Sequence, residues 1–193
     1  MKVYVINLPE AVDRKESIIK EMCKTSLDYE FVTPEVSLDI NEPRPDWTKG
    51  ANSLRLTTIK LVEKAIADNE DMIWIWEDDA IIDEFYYSKL EKQIIDFPSF
   101  DFIMLNYDYG SKLSHIKRGV LRKTLTGVYR CTSYIINRGI YEEYLKELKV
   151  LRPIDASTKK IQKRRKNSFI VEPKPVHQEV GKYSYIRDKI VNY

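Results

Sequence analysis

The chain has 193 residues and a mass of 22.8 kDa, enough to bury a core without disulfide staples and about the length of one domain, 1–193. Apolar residues make up 43%, charged residues 32%, and the net charge is +2, so composition excludes disordered and collagen-like classes and gives no overall field that selects a partner. The two cysteines, Cys23 and Cys131, form no CxxC pair; this excludes a zinc ribbon and predicts two buried free thiols in a reducing compartment.

Val3 to Asn7 reads as a buried strand, with no signal-peptide pattern before it. Pro9 and the charged segment Glu10–Glu16 open a helix, on which Ile18 with Met22 and Ile19 with Cys23 have the spacing of one apolar face. Tyr29 to Val32 is a second short strand. Residues 33–50, with Pro34, Pro43, Pro45 and Gly50, are expected to be a mobile loop. Asn52 or Ser53 then caps a helix whose apolar face carries Ile59, Val62 and Ile66. Ile73-Trp74-Ile75-Trp76 follows as a strand apolar on both faces, and it ends abruptly in Glu77-Asp78-Asp79. One reading is a strand running into an acidic solvated turn. The other is a cleft at the C-terminal edge of a sheet, where ligands bind in open α/β folds and carboxylates hold a hard divalent cation.

Beyond it, Tyr87, Leu90 and Ile94 mark a helix stopped by Pro98, and Asp101 to Asn106 is a strand. Tyr107 to Gly119 reads as a polar loop. Val120–Thr126 and Val128–Ile136 read as two strands of a hairpin around Gly127. A helix over Gly139–Lys149 ends at Leu151-Arg152-Pro153. Lys159, Lys160, Lys163, Arg164, Arg165 and Lys166 follow; setting these six charges aside turns the net +2 into −4. The segment 156–167 is expected to be a second mobile loop, either solvated or touching an anionic acceptor or acidic lipid. Ser168–Val171 is a last strand before an irregular tail. Strands alternating with helices predict an α/β fold with a mixed, mostly parallel sheet. No run of eighteen apolar residues occurs, so the expected location is cytoplasmic, with any membrane contact peripheral, at the inner face.

Several segments, in order, resemble glycosyltransferase family 25, the lipopolysaccharide and collagen galactosyltransferase group. They are Val3-Tyr4-Val5-Ile6-Asn7-Leu8 with Arg14; Gly50-Ala51 running to Glu63-Lys64-Ala65 and Ile75-Trp76-Glu77-Asp78-Asp79-Ala80; Thr132 to Arg138 with Pro153-Ile154-Asp155; and Glu172-Pro173, Val176-His177-Gln178 and Ser184-Tyr185-Ile186. The chain departs from the family at Thr57-Thr58, where Ser-His is usual, and in having Glu-Asp-Asp rather than Asp-x-Asp.

The resemblance implies a GT-A-type, Rossmann-like αβα sandwich that binds a UDP-hexose, galactose or glucose, with manganese or magnesium. It implies Asp79 as first metal ligand, Asp78 as second and His177 as a late third. Asp155 would be the general base of an inverting transfer, with Asp83 and Asp108 in reserve, and Glu77 would face the sugar or the sheet. Asn7 and Leu8 would contact the nucleotide, Arg14 would reach a phosphate or fix the turn, and Asn52 would meet the donor sugar or merely its helix end. The acceptor would be a glycan or a lipid-linked, lipopolysaccharide-type molecule met by Lys159–Lys166. Rival readings are a transferase acting on modified DNA bases, a non-catalytic sugar-nucleotide or glycan-binding module, and a metal-dependent phosphohydrolase.

Overall fold

Val3-Tyr4-Val5-Ile6 and Ile73-Trp74-Ile75-Trp76 are apolar on both faces, so each is stable only as a central strand covered on both sides. The structure, a computed structural model, describes residues 2–35, 49–95, 97, 99–108, 112–179, 183–184 and 189–190. In chain order the elements are β1 (Lys2–Ile6), α1 (Val12–Met22), β2 (Asp28–Val32), α2 (Lys49–Ala67), β3 (Met72–Glu77), β4 (Ala80–Ile82), α3 (Glu84–Ile95), β5 (Phe102–Met104), β6 (Leu113–Arg118), β7 (Leu121–Thr124), β8 (Ser133–Asn137), α4 (Tyr141–Leu148), α5 (Ile154–Arg165), β9 (Ser168–Val171), β10 (Val176–Gln178), β11 (Tyr183–Ser184) and β12 (Lys189–Ile190).

Eight strands form one sheet in the order β2-β1-β3-β8-β5-β9-β7-β6. β1 pairs in parallel with β2 and β3, and β5 with β9. β8 is inserted antiparallel between β3 and β5, and β7 runs antiparallel between β9 and β6. Six strands therefore share one direction, with β7 and β8 reversed, and the expected mixed, mostly parallel sheet is observed.

Alternation along the central strands divides the core in two. Tyr4, Ile6, Ile73, Ile75, Tyr134 and Ile136 face α2, α4 and α5. Val3, Val5, Trp74, Trp76 and Ile135 face α1 and α3. Trp74 and Trp76 are fully buried, and Trp74 Nε1 donates to Ser133 Oγ at 3.1 Å. The result is three layers, helices over sheet over helices.

Several expectations are corrected. Residues 156–167 are not a loop: Ile154–Arg165 is helix α5. Of its buried positions Ile154, Ser157, Thr158, Ile161 and Gln162, three are polar, so the apolar stripe is too thin to read. The hairpin does not turn at Gly127. It joins β6 to β7 through Gly119 (φ +58), and β6 is an edge strand whose exposed charged face hid it within a polar segment. Gly127 instead lets α5 approach; a Cβ there would stand 2.9 Å from the Lys159 carbonyl oxygen. α2 begins at Lys49, so Gly50 lies within it and Asn52 does not cap it; residues 36–48 of the expected loop lie outside the described residues. The tail is not irregular throughout, because β10 pairs antiparallel with β4. Cys131 is buried, but Cys23, at the end of α1, is exposed. Among the described residues no helix is long and apolar enough to cross a membrane.

Candidate active site

The six co-directional strands end at one edge of the sheet. Asn7 ends β1, Glu77-Asp78-Asp79 ends β3, Asn106-Tyr107-Asp108 ends β5, and Glu172-Pro173-Lys174 ends β9. The reversed strand β8 starts at that edge, directly after Arg130-Cys131-Thr132, and α5 starts there with Asp155. Residues scattered through the sequence thus meet because every crossover returns the chain to the same edge.

The three carboxylates after β3 have different partners. Asp78 is 7% exposed, and both its oxygens are engaged: Asn7 Nδ2 donates to Oδ2 at 2.7 Å, and Arg14 Nη1 donates to Oδ1 at 2.6 Å. Asp79, equally buried, accepts from Gln178 Nε2 through Oδ2 at 2.7 Å, while its Oδ1 is buried with no partner. Burial pushes the Asp79 carboxyl up, against Gln178 and Arg14. Glu77 is half-buried and its backbone N–H is held by the Thr132 carbonyl at 2.8 Å. Burial, then Asp79, Asp155 and Asp78, push its carboxyl well above the usual range, with Arg14 opposing. Asp155 joins this group from α5, where its Oδ1 accepts the Cys131 N–H at 3.1 Å. The Cys131 thiol, raised by burial and by Asp155, stays protonated and is no nucleophile.

Glu77 yields a stability prediction. Its folded-state affinity for a proton exceeds that of the unfolded chain, so the folded state binds more protons. Its contribution is therefore full at low pH and is lost as pH rises from the usual glutamate range, about 4.3, through the raised folded value. Each unit of elevation costs about 1.4 kcal/mol once the group is ionised. Glu77→Gln is expected to melt above the parent at pH 8, with the gap closing toward pH 4. Thermal melts of both proteins check this, and a variant melting level with or below the parent at pH 8 contradicts it.

The other expected site residues are placed differently. Leu8 is half-exposed in the turn after β1, its carbonyl accepting the Ala11 N–H at 2.9 Å. Asn52 is buried inside α2, where its Oδ1 holds Arg55, which donates to the Leu148 carbonyl at 2.7 Å and ties α2 to the end of α4. Thr57 and Thr58 donate to the Ser53 and Leu54 carbonyls of their own helix. His177 is exposed and pairs with Ile81 across the β4–β10 ribbon; strand alternation turns it away from the face on which Gln178 reaches Asp79. Asp83 holds the first turn of α3, its Oδ1 accepting the Tyr86 N–H at 3.3 Å, and Asp108 Oδ1 accepts the Tyr129 N–H at 3.0 Å.

The donor set fits a divalent cation at one point. Both Asp78 oxygens already accept a hydrogen bond, and among the described residues no group of three or more His, Cys, Asp or Glu side chains is arranged to hold a metal. The orphaned Oδ1 of Asp79 is a carboxylate oxygen aimed at nothing in the protein, and an ion shared with substrate phosphates needs only one or two such ligands.

Half of the basic run is ion-paired with its neighbours. Lys160 pairs with Glu147 at 3.1 Å, Arg165 with Asp101 and Glu143 at 3.1 Å each, and Arg164 with Glu143. Lys159 lies 3.5 Å over the Tyr129 ring. α5 thus spends much of its charge on α4 and the sheet, which weakens it as a docking stripe for nucleic acid. A depression of about 840 Å³ lined by Asp28, Glu70 and Asp71 lies at the opposite edge of the sheet, away from these residues.

Sequence reasoning missed two cations at the active edge. Lys174, after β9, is 8% exposed and its ammonium lies 4.6 Å from the centre of the Tyr107 ring. Burial, then Arg130, push it down, with Asp108 opposing. A lone Lys between two prolines and a lone Arg carry no motif, and only the left-handed backbone of Arg130 (φ +70) marks it in the structure.

No family model matches the chain, and no curated protein matches it. Among solved structures, it is similar to a glycosyltransferase involved in the glycosylation of the major capsid of PBCV-1. The TM-score is 0.52 at 7% identity, over 89% of this chain and 82% of that one. It is also similar to A197 from STIV, with a TM-score of 0.52 at 11% identity over 100% of this chain and 94% of that one. At these identities the likeness is one of fold. The expected Rossmann-like, GT-A-type αβα arrangement is the one observed.

Proposed function

We propose that the chain is a glycosyltransferase that moves a hexose from a nucleotide sugar to an acceptor hydroxyl. The observation that carries this reading is the meeting of Glu77, Asp79 and Asp155 at the C-terminal edge of a GT-A-type sheet. The motif resemblance to family 25 supports the finer terms: a UDP-hexose donor, galactose or glucose, and a glycan or lipid-linked acceptor.

In this reading the anomeric carbon loses its bond to the diphosphate oxygen, and the bonding electrons leave with the diphosphate. The acceptor oxygen forms the new bond from the opposite face, and its proton passes to Asp155. Asp155 is held for this by the Cys131 N–H, which orients the carboxylate toward the edge. Glu77, beside Asp79 and Asp155, faces the sugar, and its carboxyl, held well above the usual range by burial and by these neighbours, can hydrogen-bond a sugar hydroxyl. Asn7 and Arg14 keep Asp78 fixed, so the turn between β3 and β4 presents Asp79 in one orientation. A divalent ion bound at Asp79 Oδ1 would neutralise charge on the leaving diphosphate.

Isothermal titration of UDP, UDP-glucose and UDP-galactose, with and without manganese, tests the donor half. UDP compounds are expected to bind the parent, and Asp79→Asn is expected to weaken binding at least tenfold in manganese, about 1.4 kcal/mol. Absence of binding by every UDP compound under both conditions defeats the donor reading. Release of phosphate without sugar transfer would replace it with a phosphohydrolase.

A further inference from the structure

We propose that Asn106 is a specificity-determining residue that donates a hydrogen bond to a hydroxyl of the transferred hexose, an inference that rests on the glycosyl-transfer reading above. Asn106 follows β5 at the active edge and is 2% exposed. Its Nδ2 is buried and finds no hydrogen-bond partner among the described residues. A donor left in that state costs about 1–3 kcal/mol, and the great majority of buried polar groups are satisfied. An apolar side chain would fill the position without that cost, so packing alone does not account for the asparagine.

Strand register places the amide. β8 lies between β3 and β5. Trp76 stands opposite Ser133, so Glu77 stands opposite Thr132, and the Glu77 N–H donates to the Thr132 carbonyl at 2.8 Å. On the other side of β8, Met104 stands opposite Tyr134, and the Leu105 N–H donates to the Ser133 carbonyl at 3.0 Å. Continuing that register sets Asn106 opposite Thr132 as well. Residues level with one another on neighbouring strands share a face. Glu77, Thr132 and Asn106 therefore form one row, on the face that carries Ile75, Met104, Tyr134 and the inner side of α5. Asp155, in the first turn of α5, accepts the Cys131 N–H one residue before Thr132. With strands about 4.8 Å apart, Glu77 and Asn106 stand roughly 10 Å from one another.

The row selects the chemistry of its ligand. The carboxyls of Glu77 and Asp155 disfavour a phosphate there and suit a neutral group rich in hydroxyls. A hexose hydroxyl oxygen supplies the acceptor that Nδ2 lacks, while Glu77 meets the sugar from the other end of the row. A site built to hydrogen-bond a substrate hydroxyl rejects a substrate that leaves its buried polar group unpaired. Asn106 thus distinguishes hexoses that differ at one hydroxyl.

The test is titration of UDP, UDP-glucose and UDP-galactose, in manganese, into parent, Asn106→Leu and Asn106→Ala, together with thermal melts. Each variant is expected to bind UDP within about twofold of the parent. Each is expected to lose about fivefold or more for the UDP-hexose that the parent prefers, the strength of one neutral hydrogen bond, and its discrimination between the two hexoses narrows. At least one variant is expected to melt no lower than the parent, because each removes an orphaned donor. A lowered melting temperature in both shows that the amide serves the fold and overturns the proposal. Unchanged UDP-hexose binding overturns it too, as does a loss for UDP as large as that for the UDP-hexose. If the parent binds UDP but neither UDP-hexose, the hexose contact falls and the nucleotide site stands. If the parent binds no UDP compound, the nucleotide-sugar reading falls and takes this contact with it.

Discussion

Asp155→Asn is expected to slow sugar transfer by about 10²–10⁴-fold while leaving donor affinity nearly unchanged, the signature of a lost general base. The substitution is isosteric, and the amide oxygen can still accept the Cys131 N–H that the carboxylate accepts at 3.1 Å. The start of α5 should therefore keep its place, and only the capacity to take the acceptor's proton is removed. The measurement is initial-rate transfer from a UDP-hexose under saturating donor, beside titration of the same donor. A variant that turns over at the parent's rate removes Asp155 from the chemistry. The reserve carboxylates are poorly placed to replace it, since that of Asp83 accepts the Tyr86 N–H at the start of α3 and that of Asp108 accepts the Tyr129 N–H. If the parent binds donor but no acceptor is ever glycosylated, the non-catalytic binding module becomes the better account.

Arg14→Met is expected to cost about 3–5 kcal/mol of stability, because it leaves the Asp78 carboxylate buried and unpaired. The pair is closed from water: side-chain exposure is 11% at Arg14 and 8% at Asp78, with 2.6 Å between Nη1 and Oδ1. At about 2–4 °C per kcal/mol for a chain of this size, the loss corresponds to a fall of roughly 6–20 °C in Tm. Asn7 Nδ2 still reaches Asp78 in the variant, but one neutral donor does not replace a guanidinium. Adding Asp78→Asn to Arg14→Met should restore much of the loss, since a buried charge is then exchanged for a neutral amide. Urea denaturation of the two single variants and the double variant measures the coupling. A loss below about 1 kcal/mol, the usual value of exposed pairs, would show that water screens the contact. The pair also bears on the site: both Asp78 oxygens are engaged within the protein, whereas the buried Oδ1 of Asp79 has no hydrogen-bond partner among the described residues.

Much of this architecture is legible along the chain. Ile73-Trp74-Ile75-Trp76 is apolar on both faces and can only be a central strand, and an abrupt change to Glu77-Asp78-Asp79 can only fall where the strand leaves the core. Ile18 with Met22, Ile59 with Val62, and Tyr87 with Leu90 and Ile94 fix three helices and their inner faces, because helical spacing turns into burial directly. α5 and β6 were not legible for the same reason in reverse. The inner face of α5 is built from Ser157, Thr158 and Gln162 beside two isoleucines, and β6 is an edge strand whose outer residues are charged.

The sequence by itself therefore determined the sheet's central strands, the helices with strong apolar stripes, and the presence of an acidic strand end. Each depends only on local periodicity and on the cost of burying charge. The tertiary structure decided which carboxylates are available and what stands opposite them. It spends Asp78 on Arg14 and Asn7, turns His177 to the outer face of a ribbon, pairs the basic run with Glu143, Glu147 and Asp101, and brings Asp155, Arg130 and Lys174 to the edge where Glu77 and Asp79 lie. Such pairings join residues far apart in the chain. They arise from the order of strands in the sheet and the direction of each crossover, and no spacing along a single segment encodes either.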